Sequence, residues 1–268
     1  MILYLYNIPS VFMALIIVGG TVFCAFFGYA IATRFIHIEV DEERRSLAVT
    51  MVSIITTIQS LLVAFAAVSV WSTFNDADRI VSAEAISASE LAHDLAAFES
   101  PVANATGSAL RNYLEQVIQV EWQIMQRELR PDSEAERRFN TMLDSAKRIT
   151  PATSRQTVLL GEILARVHEM VMYRQQRLLA LSVSMPATLW AVILIVTALS
   201  FMLLYVLPPT PFHIGLIGTW AATLGLTFFF ILAVDRPFAG EISVSADAYR
   251  RAIDSLIQSK VWPILQVQ

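Results

Sequence analysis

Cysteine and charge are both scarce in this chain. Its 268 residues include a single cysteine, Cys24, so neither a disulfide framework nor a cysteine metal site is expected. Only 16% of the residues are charged and 56% are apolar, which is typical of a membrane protein. The sequence also lacks a basic cluster, so we expect no nucleic-acid partner.

Catalytic motifs are missing as well. The sequence has no Walker loop, no G-x-G-x-x-G turn and no serine elbow, and the His-Glu pair at 168–169 lacks the second histidine of a helical zinc site. One set of ionisable residues has a spacing that can hold a divalent cation, although such residues usually form a solvated helix face. They are Glu84, Glu90, His93 and Asp94. We expect no enzyme activity, no metal site and no cofactor.

Four long apolar runs are what the sequence does contain. They cover residues 8–32, 48–71, 185–207 and 213–234 and are almost free of charge. Each has the ~20 residues that a helix needs to cross the hydrocarbon layer of a bilayer. The first run lacks preceding basic residues and is too long for a signal-peptide core, so we expect it to remain a span.

The only large polar region lies between the second and third runs. Apolar residues in it recur at steps of three and four, and none of it alternates with period two. The sequence therefore predicts an all-α polytopic membrane protein, with four transmembrane helices and a helical soluble domain between spans two and three. The expected parts are 1–74 (two spans), 75–180 (soluble domain), 181–235 (two spans) and 236–268 (a turn and an amphipathic helix).

Helix signals define parts of the soluble domain. Nothing breaks the helical pattern between Leu47 and Phe98, which predicts one very long helix or two collinear ones. A capping box, Ser133-x-x-Glu136, predicts the start of a later helix. The last helix of the domain has no stop before Pro186, so we expect it to continue into the third span.

Two stripes run along the second apolar run, which carries no charge from residue 47 to residue 74. One stripe contains small and hydroxyl residues, namely Ser53, Thr57, Ser60, Ala64 and Ala67. The other is apolar and contains Ile54, Ile58, Leu61 and Phe65. A helix that faced only lipid would have no use for the hydroxyl groups, so part of this helix is expected to face protein or water.

These stripes favour a pathway for ions over any catalytic role. Around a symmetry axis, either stripe can face a pore: the apolar stripe would gate by dewetting, and the hydroxyl stripe would solvate ions. We assign Ile58, Leu61 and Phe65 to the pore lining and the small and hydroxyl stripe to helix packing. The alternative is that the hydroxyl stripe only packs against the other spans of the same chain.

Two segments resemble a bacterial family of unknown function that is known as bestrophin-like. Residues 79–86 (Arg-Ile-Val-Ser-Ala-Glu-Ala-Ile) are similar to the segment that follows the family's second span. Residues 235–245 (Asp-Arg-Pro-Phe-Ala-Gly-Glu-Ile-Ser-Val-Ser) look like its signature after the last span. The resemblance covers roughly residues 45 to 260, and the Asp-Arg-Pro-Phe segment is its specific part.

The resemblance implies four spans arranged as in bestrophins, which are pentameric anion channels whose second helix lines an apolar neck. No acidic cluster matches the bestrophin calcium clasp, so calcium gating is not expected. Asp235 and Arg236 have a structural role available, as an interfacial ion pair that ends the fourth span with Pro237.

The function hypotheses follow. The first is an oligomeric ion channel, a homo-oligomer (a pentamer by analogy) that passes inorganic ions, with anions favoured, through a pore lined by the second helix. The second is a membrane-anchored scaffold whose soluble domain binds a partner. Basic residues near the span ends number three in the first loop against seven on the other side, which predicts an inner-membrane protein with a cytoplasmic soluble domain and cytoplasmic termini.

Overall fold

The computed structural model describes residues 3–35, 42–208 and 210–262. These residues form α-helices joined by short turns and contain no strand, as the sequence predicts. The helices are α1 (Leu3–Tyr6), α2 (Ser10–Phe35), α3 (Glu42–Phe98), α4 (Pro101–Gln116), α5 (Trp122–Glu128), α6 (Ser133–Ala146), α7 (Ser154–Ala180), α8 (Ala187–Leu204), α9 (Pro211–Val234) and α10 (Asp247–Gln258). A π-helical turn, Val117–Glu121, joins α4 to α5.

Four of the described helices are long and apolar enough to cross a membrane: α2, α3, α8 and α9. The four predicted spans are therefore confirmed. Between Leu47 and Phe98 the sequence predicts one very long helix or two collinear ones, and the structure has one, because α3 runs through 57 residues without a break.

The chain divides into two compact units. The first contains residues 1–73, 184–236 and 240–242, and the second contains residues 74–183, 237–239 and 243–268. In the first unit α2 packs closely against α9. Gly225 permits this approach, since a Cβ atom there would lie 2.8 Å from the Cα of Val18. Tyrosine hydroxyls tie the helix ends: Tyr29 donates to the carbonyl of Leu207, and Tyr205 donates to that of Ala25.

The second unit is a helical bundle around one core. The half of α3 that belongs to it buries residues spaced by four and three, including Ala77, Val81, Ala88, Leu91 and Leu95. Tyr113, Met125, Phe139, Ile163 and Tyr249 come from α4 to α7 and from α10 and complete the core. Ile80 and Ala83, which the sequence pattern places on the core face, are only half-buried.

Two local predictions are wrong. The helix that ends the soluble domain does not continue into the third span, because α7 ends at Ala180 and α8 begins at Ala187. Proline disfavours helical geometry in the residue before it, so Pro186 breaks the path rather than kinking it. The cap of α6 is Asp132 rather than Ser133, because the Asp132 carboxylate accepts hydrogen bonds from the N–H groups of Glu134 and Ala135.

Candidate functional site

The membrane segment of α3 has three faces. One is buried inside the chain; we call it the packed face, and it consists of Gln59, Val63, Ala66 and Val70. The apolar face is Ile54, Ile58, Leu61 and Phe65, and the hydroxyl face is Ser53, Thr57, Ser60, Ala64 and Ala67. At about 100° per residue, the centres of the three faces are separated by roughly a third of a turn each.

The apolar face is open on the surface of the chain. Ile58, Leu61 and Phe65 are 50%, 58% and 64% exposed. None of the described residues of the first unit buries these three side chains. A face of this kind contacts lipid, a pore or another copy of the chain.

The hydroxyl face is also open. Four of its residues are exposed and Ala67 is half-buried. Its hydroxyl groups bond to their own helix: Ser53 donates to the carbonyl of Val49, Thr57 to that of Ser53, and Ser60 to that of Thr56. Within the single chain it is thus the packed face, rather than this stripe, that is buried against the other spans.

A hydrogen-bonded amide lies at the centre of the packed face. The Nε2 of Gln59 donates to the Oγ1 of Thr197 at 2.8 Å, and its Oε1 accepts from the Oγ of Ser200 at 2.7 Å. Thr197 donates in turn to the carbonyl of Ile193 at 2.7 Å. Gln59 is 1% exposed, so the structure places a hydrogen-bonded polar link between α3 and α8 inside the membrane unit.

The predicted interface pair lies at the end of α9. The Oδ1 of Asp235 accepts a hydrogen bond from the N–H of Met185 at 2.6 Å, and Asp235 is buried. Among the ion pairs of the described residues, none joins Asp235 to Arg236. Burial raises the pKa of Asp235, against the opposing effects of the Met185 N–H and the nearby Arg236 charge. The ion pair therefore stays a prediction, and the observed partner of Asp235 is the backbone before α8.

The residues after Asp235 also contact α1 and the N-terminus of α2. The Oε2 of Glu241 accepts a hydrogen bond from the N–H of Ser10 at 2.8 Å, at the N-terminus of α2, and this bond lowers the pKa of Glu241. Gly240 has φ +75°, and a Cβ atom there would lie 3.0 Å from the carbonyl oxygen of Tyr6. Tyr6 donates its own hydroxyl to the carbonyl of Leu232 at 2.7 Å. Gly240 and Glu241, which follow the Asp-Arg-Pro-Phe segment, thus pack against α1 and α2.

The second unit contains a buried ion network. The Nε of Arg177 bonds to the Oε2 of Glu84 at 2.8 Å, and its Nη2 bonds to the Oε2 of Glu121 at 3.0 Å. Tyr113 donates its hydroxyl to the Oε1 of Glu84 at 2.7 Å. Both carboxylates and the guanidinium are fully buried. Glu121 reaches the network from the π-helical turn, which displaces the helix by one residue at that point.

Charge balance keeps this network ionised. Burial alone would raise the pKa of Glu84, but the Arg177 charge and the hydrogen bonds from Arg177 and Tyr113 outweigh it, and the pKa lies below its ordinary value. Arg174 adds a second guanidinium, 3.6 Å from Glu121 and 5.2 Å from the ring centre of Phe139. Buried networks of this kind add little net stability over an apolar core, but the loss of one partner leaves an uncompensated charge.

The four residues considered for a cation are not brought together. Glu84 is bound to Arg177 in the interior, whereas Glu90 pairs with Arg166 on the surface at 3.1 Å. Within the described part of the chain, no group of three His, Cys, Asp or Glu residues is placed to hold a metal ion.

Sequence reasoning missed Gln59, Glu121 and Arg177, and it considered Glu84 as a cation ligand rather than as the partner of Arg177. Two signals were available. Gln59 carries the only side-chain amide in the charge-free run from residue 47 to residue 74. Glu84 falls between Val81 and Ala88 in a series spaced by three and four, which is a core position.

The sequence model of the bestrophin-like domain matches residues 7–249, which include all four spans and most of both units. The chain belongs to the bestrophin-like family. Comparisons with curated proteins and with solved structures found no match. As a bestrophin-like protein with four apolar helices, the chain is embedded in a membrane.

Proposed function

We propose that this bestrophin-like protein is an oligomeric ion channel of the cell inner membrane, in which α3 of each copy lines a central pore. Membership of the family favours a channel over an enzyme. The resemblance to bestrophins favours five copies and the passage of inorganic anions.

One observation carries this proposal: two of the three faces of the α3 membrane segment are open in the single chain. A helix that lines a pore in a ring of copies needs one face for the lumen and another for the neighbouring copy. Such a helix also needs a third face that holds it to its own chain. The packed face does so through Gln59.

The side chains on the two open faces indicate which one lines the pore and which one contacts the neighbouring copy. Ile58, Leu61 and Phe65 supply the bulk of an apolar constriction, which gates by dewetting. The small side chains of the hydroxyl face, such as Ala64, permit close approach of a neighbouring helix. We therefore assign the apolar face to the lumen and the hydroxyl face to contacts between copies.

We further propose that the soluble domain and both termini face the cytoplasm. Arg174 and Arg177, which count toward the basic side in the sequence, are buried in the second unit. Without them the count still favours that side, by five to three, with Arg79, Arg236, Arg250, Arg251 and Lys260 against Arg34, Arg44 and Arg45.

Cysteine labelling in intact cells tests the orientation. Ala105 and Thr210 are both exposed, so a cysteine at either position is open to reagent. In a chain whose Cys24 has been replaced, an impermeant thiol reagent should modify Thr210→Cys and spare Ala105→Cys until the cells are opened. Labelling of Ala105→Cys in intact cells would reverse the assignment.

Conductance in a planar bilayer tests the channel itself. The purified protein should conduct, and asymmetric chloride and potassium salts should give a reversal potential near that of chloride. Replacing Ile58, Leu61 and Phe65 together by alanine should widen the constriction and raise the single-channel conductance. Leu194→Ala is the matched control, because Leu194 is an exposed apolar residue of another span, α8.

Two results would count against the proposal. A wild-type protein that assembles and inserts but conducts nothing would remove the channel and leave the membrane-anchored scaffold. A triple-alanine variant with unchanged conductance would remove the apolar face from the pore.

A further inference from the structure

We infer that Gln59 is a positioning residue that sets the rotation of α3 about its own axis. If the proposed function holds, Gln59 thereby decides which face of α3 lines the pore. The side chain is fully buried in the membrane unit, and both ends of its amide are bonded to α8.

The link has a defined direction. The Nε2 of Gln59 needs an acceptor and finds the Oγ1 of Thr197, whereas its Oε1 needs a donor and finds the Oγ of Ser200. Thr197 and Ser200 lie three residues apart, so both hydroxyls project from one side of α8. Turning α3 by one residue, about 100°, would break both bonds at once.

Apolar burial discriminates only weakly between rotations of a membrane helix. Lipid tails are as apolar as leucine, so a membrane helix gains little by burying one apolar face rather than another. The packed face offers Val63, Ala66 and Val70, and the apolar face offers Ile58, Leu61 and Phe65. The amide of Gln59 differs from all six, because its polar atoms must be bonded wherever they leave water.

Four hydroxyl groups in the membrane segment of α3 do not take over this task. Thr50, Ser53, Thr57 and Ser60 each donate to a carbonyl of their own helix, four residues back. Such bonds survive any rotation of α3, because they turn with it. Gln59 acts instead as a buried asparagine does in a coiled coil, where one polar contact selects one register.

The packed and apolar faces lie roughly a third of a turn apart, so the rotation has a direct consequence for the pore. With Gln59 in place, Ile58, Leu61 and Phe65 point away from the rest of the chain. Without it, the membrane segment of α3 loses a contact that favours this rotation over the others. Gln59 therefore determines which side chains of α3 point away from the chain, although it does not lie on either open face.

Spin labels placed singly at positions 54 to 66 of the reconstituted full-length protein report this rotation. The mobility of the labels should vary with a helical period, and labels at the packed face, which is buried within the single chain, should be the least mobile. In Gln59→Met, which keeps the length of the side chain and removes its amide, we expect the contrast of that pattern to fall at least twofold, to about half. Ser200→Ala should lower the contrast in the same direction, and adding it to Gln59→Met should have no further effect.

Ser60→Ala is the matched control, because its hydroxyl bonds only to its own helix. This variant should keep the wild-type pattern. A Gln59→Met protein that melts at a lower temperature but keeps the wild-type pattern would overturn the inference and make Gln59 a merely stabilising residue. The labels report rotation whether or not ions pass, so this result is separate from a failure of the channel itself, which the wild-type conductance reveals.

Discussion

Asp235 and Met185 are joined by a hydrogen bond of 2.6 Å, from the backbone N–H of Met185 to the carboxylate of Asp235, across 50 residues of sequence. Met185 precedes Pro186, and α8 starts directly after that proline. Its N–H has no place in a helix, since α7 has already ended at Ala180. The end of the fourth span thus supplies the acceptor that lets the chain break before the third span.

Removing this acceptor should destabilise the membrane unit. We expect Asp235→Ala to lower the free energy of unfolding in detergent by about 1–3 kcal/mol, because the Met185 N–H is left buried and unbonded. Asp235→Asn should cost less, since its side-chain oxygen still accepts. Thermal or chemical unfolding of the purified variants measures both.

Asp235→Ala, combined with Arg236→Ala, also tests the ion pair that the sequence predicts. If Met185 is the main partner of Asp235, a double-mutant cycle of Asp235→Ala with Arg236→Ala should give a coupling below about 1 kcal/mol. A larger coupling would show that Arg236 supports Asp235 directly.

Close packing of α2 on α9 predicts a contrast between two glycines of α9. A Cβ atom at Gly225 would lie 2.8 Å from the backbone of Val18, whereas one at Gly215 would meet nothing within 4 Å. Gly225→Ala should therefore push the helices apart and lower the melting temperature. Gly215→Ala should leave it unchanged or raise it, because alanine favours a helix by up to about 1 kcal/mol over glycine. Equal effects at the two positions would contradict this packing.

The Glu84–Arg177 pair predicts a loss of stability in acid. The pKa of Glu84 in the folded protein lies below its ordinary value of 4.5, so the unfolded chain takes up the proton first as the pH falls. The stability that ionised Glu84 adds to the folded protein is complete above pH 4.5 and is lost as the pH falls through the folded-state pKa. Hydrogen exchange of α4 and α7 between neutral and acid pH measures this loss.

Glu84→Gln is the control for that experiment. At neutral pH it should cost about 3–5 kcal/mol, because Arg177 loses one partner in the interior. Its stability should then fall less steeply with acid than that of the wild type. Asp132, whose pKa is also lowered, titrates in both proteins and cancels in the comparison. Parallel curves would show that Glu84 titrates normally.

The spans were predictable because the length and composition that a membrane requires of a helix can be read directly from the sequence. Each crossing needs about 20 apolar residues in a helix that bonds its own backbone, and the four runs meet that demand without help from distant residues. The long helix α3 was predictable for the same local reason, since no proline or glycine interrupts residues 42–98.

The break between α7 and α8 has a local signal in Pro186, but a proline can also kink a helix, and the acceptor for the freed Met185 N–H is the distant Asp235. The identity of the packed face was not predictable, because it depends on Thr197 and Ser200 far along the chain. Periodicity shows that α3 has several faces, yet it does not show which face finds a partner. Glu84 illustrates the same gap, because a carboxylate at a core position is tolerable only where Arg177 meets it.

Enlarging the hydroxyl face should separate assembly from folding. Ala64 is exposed in the single chain, so Ala64→Leu clashes with nothing inside it and should leave the melting temperature of the monomer unchanged. If this face contacts a neighbouring copy, the added side chain should push the copies apart, because close helix contacts in membranes require small residues. Light scattering of the detergent complex should then show a smaller assembly. Ala191→Leu, at an exposed alanine of α8, is the control and should leave the assembly intact. An Ala64→Leu protein of wild-type mass would move the contact between copies to another face of α3.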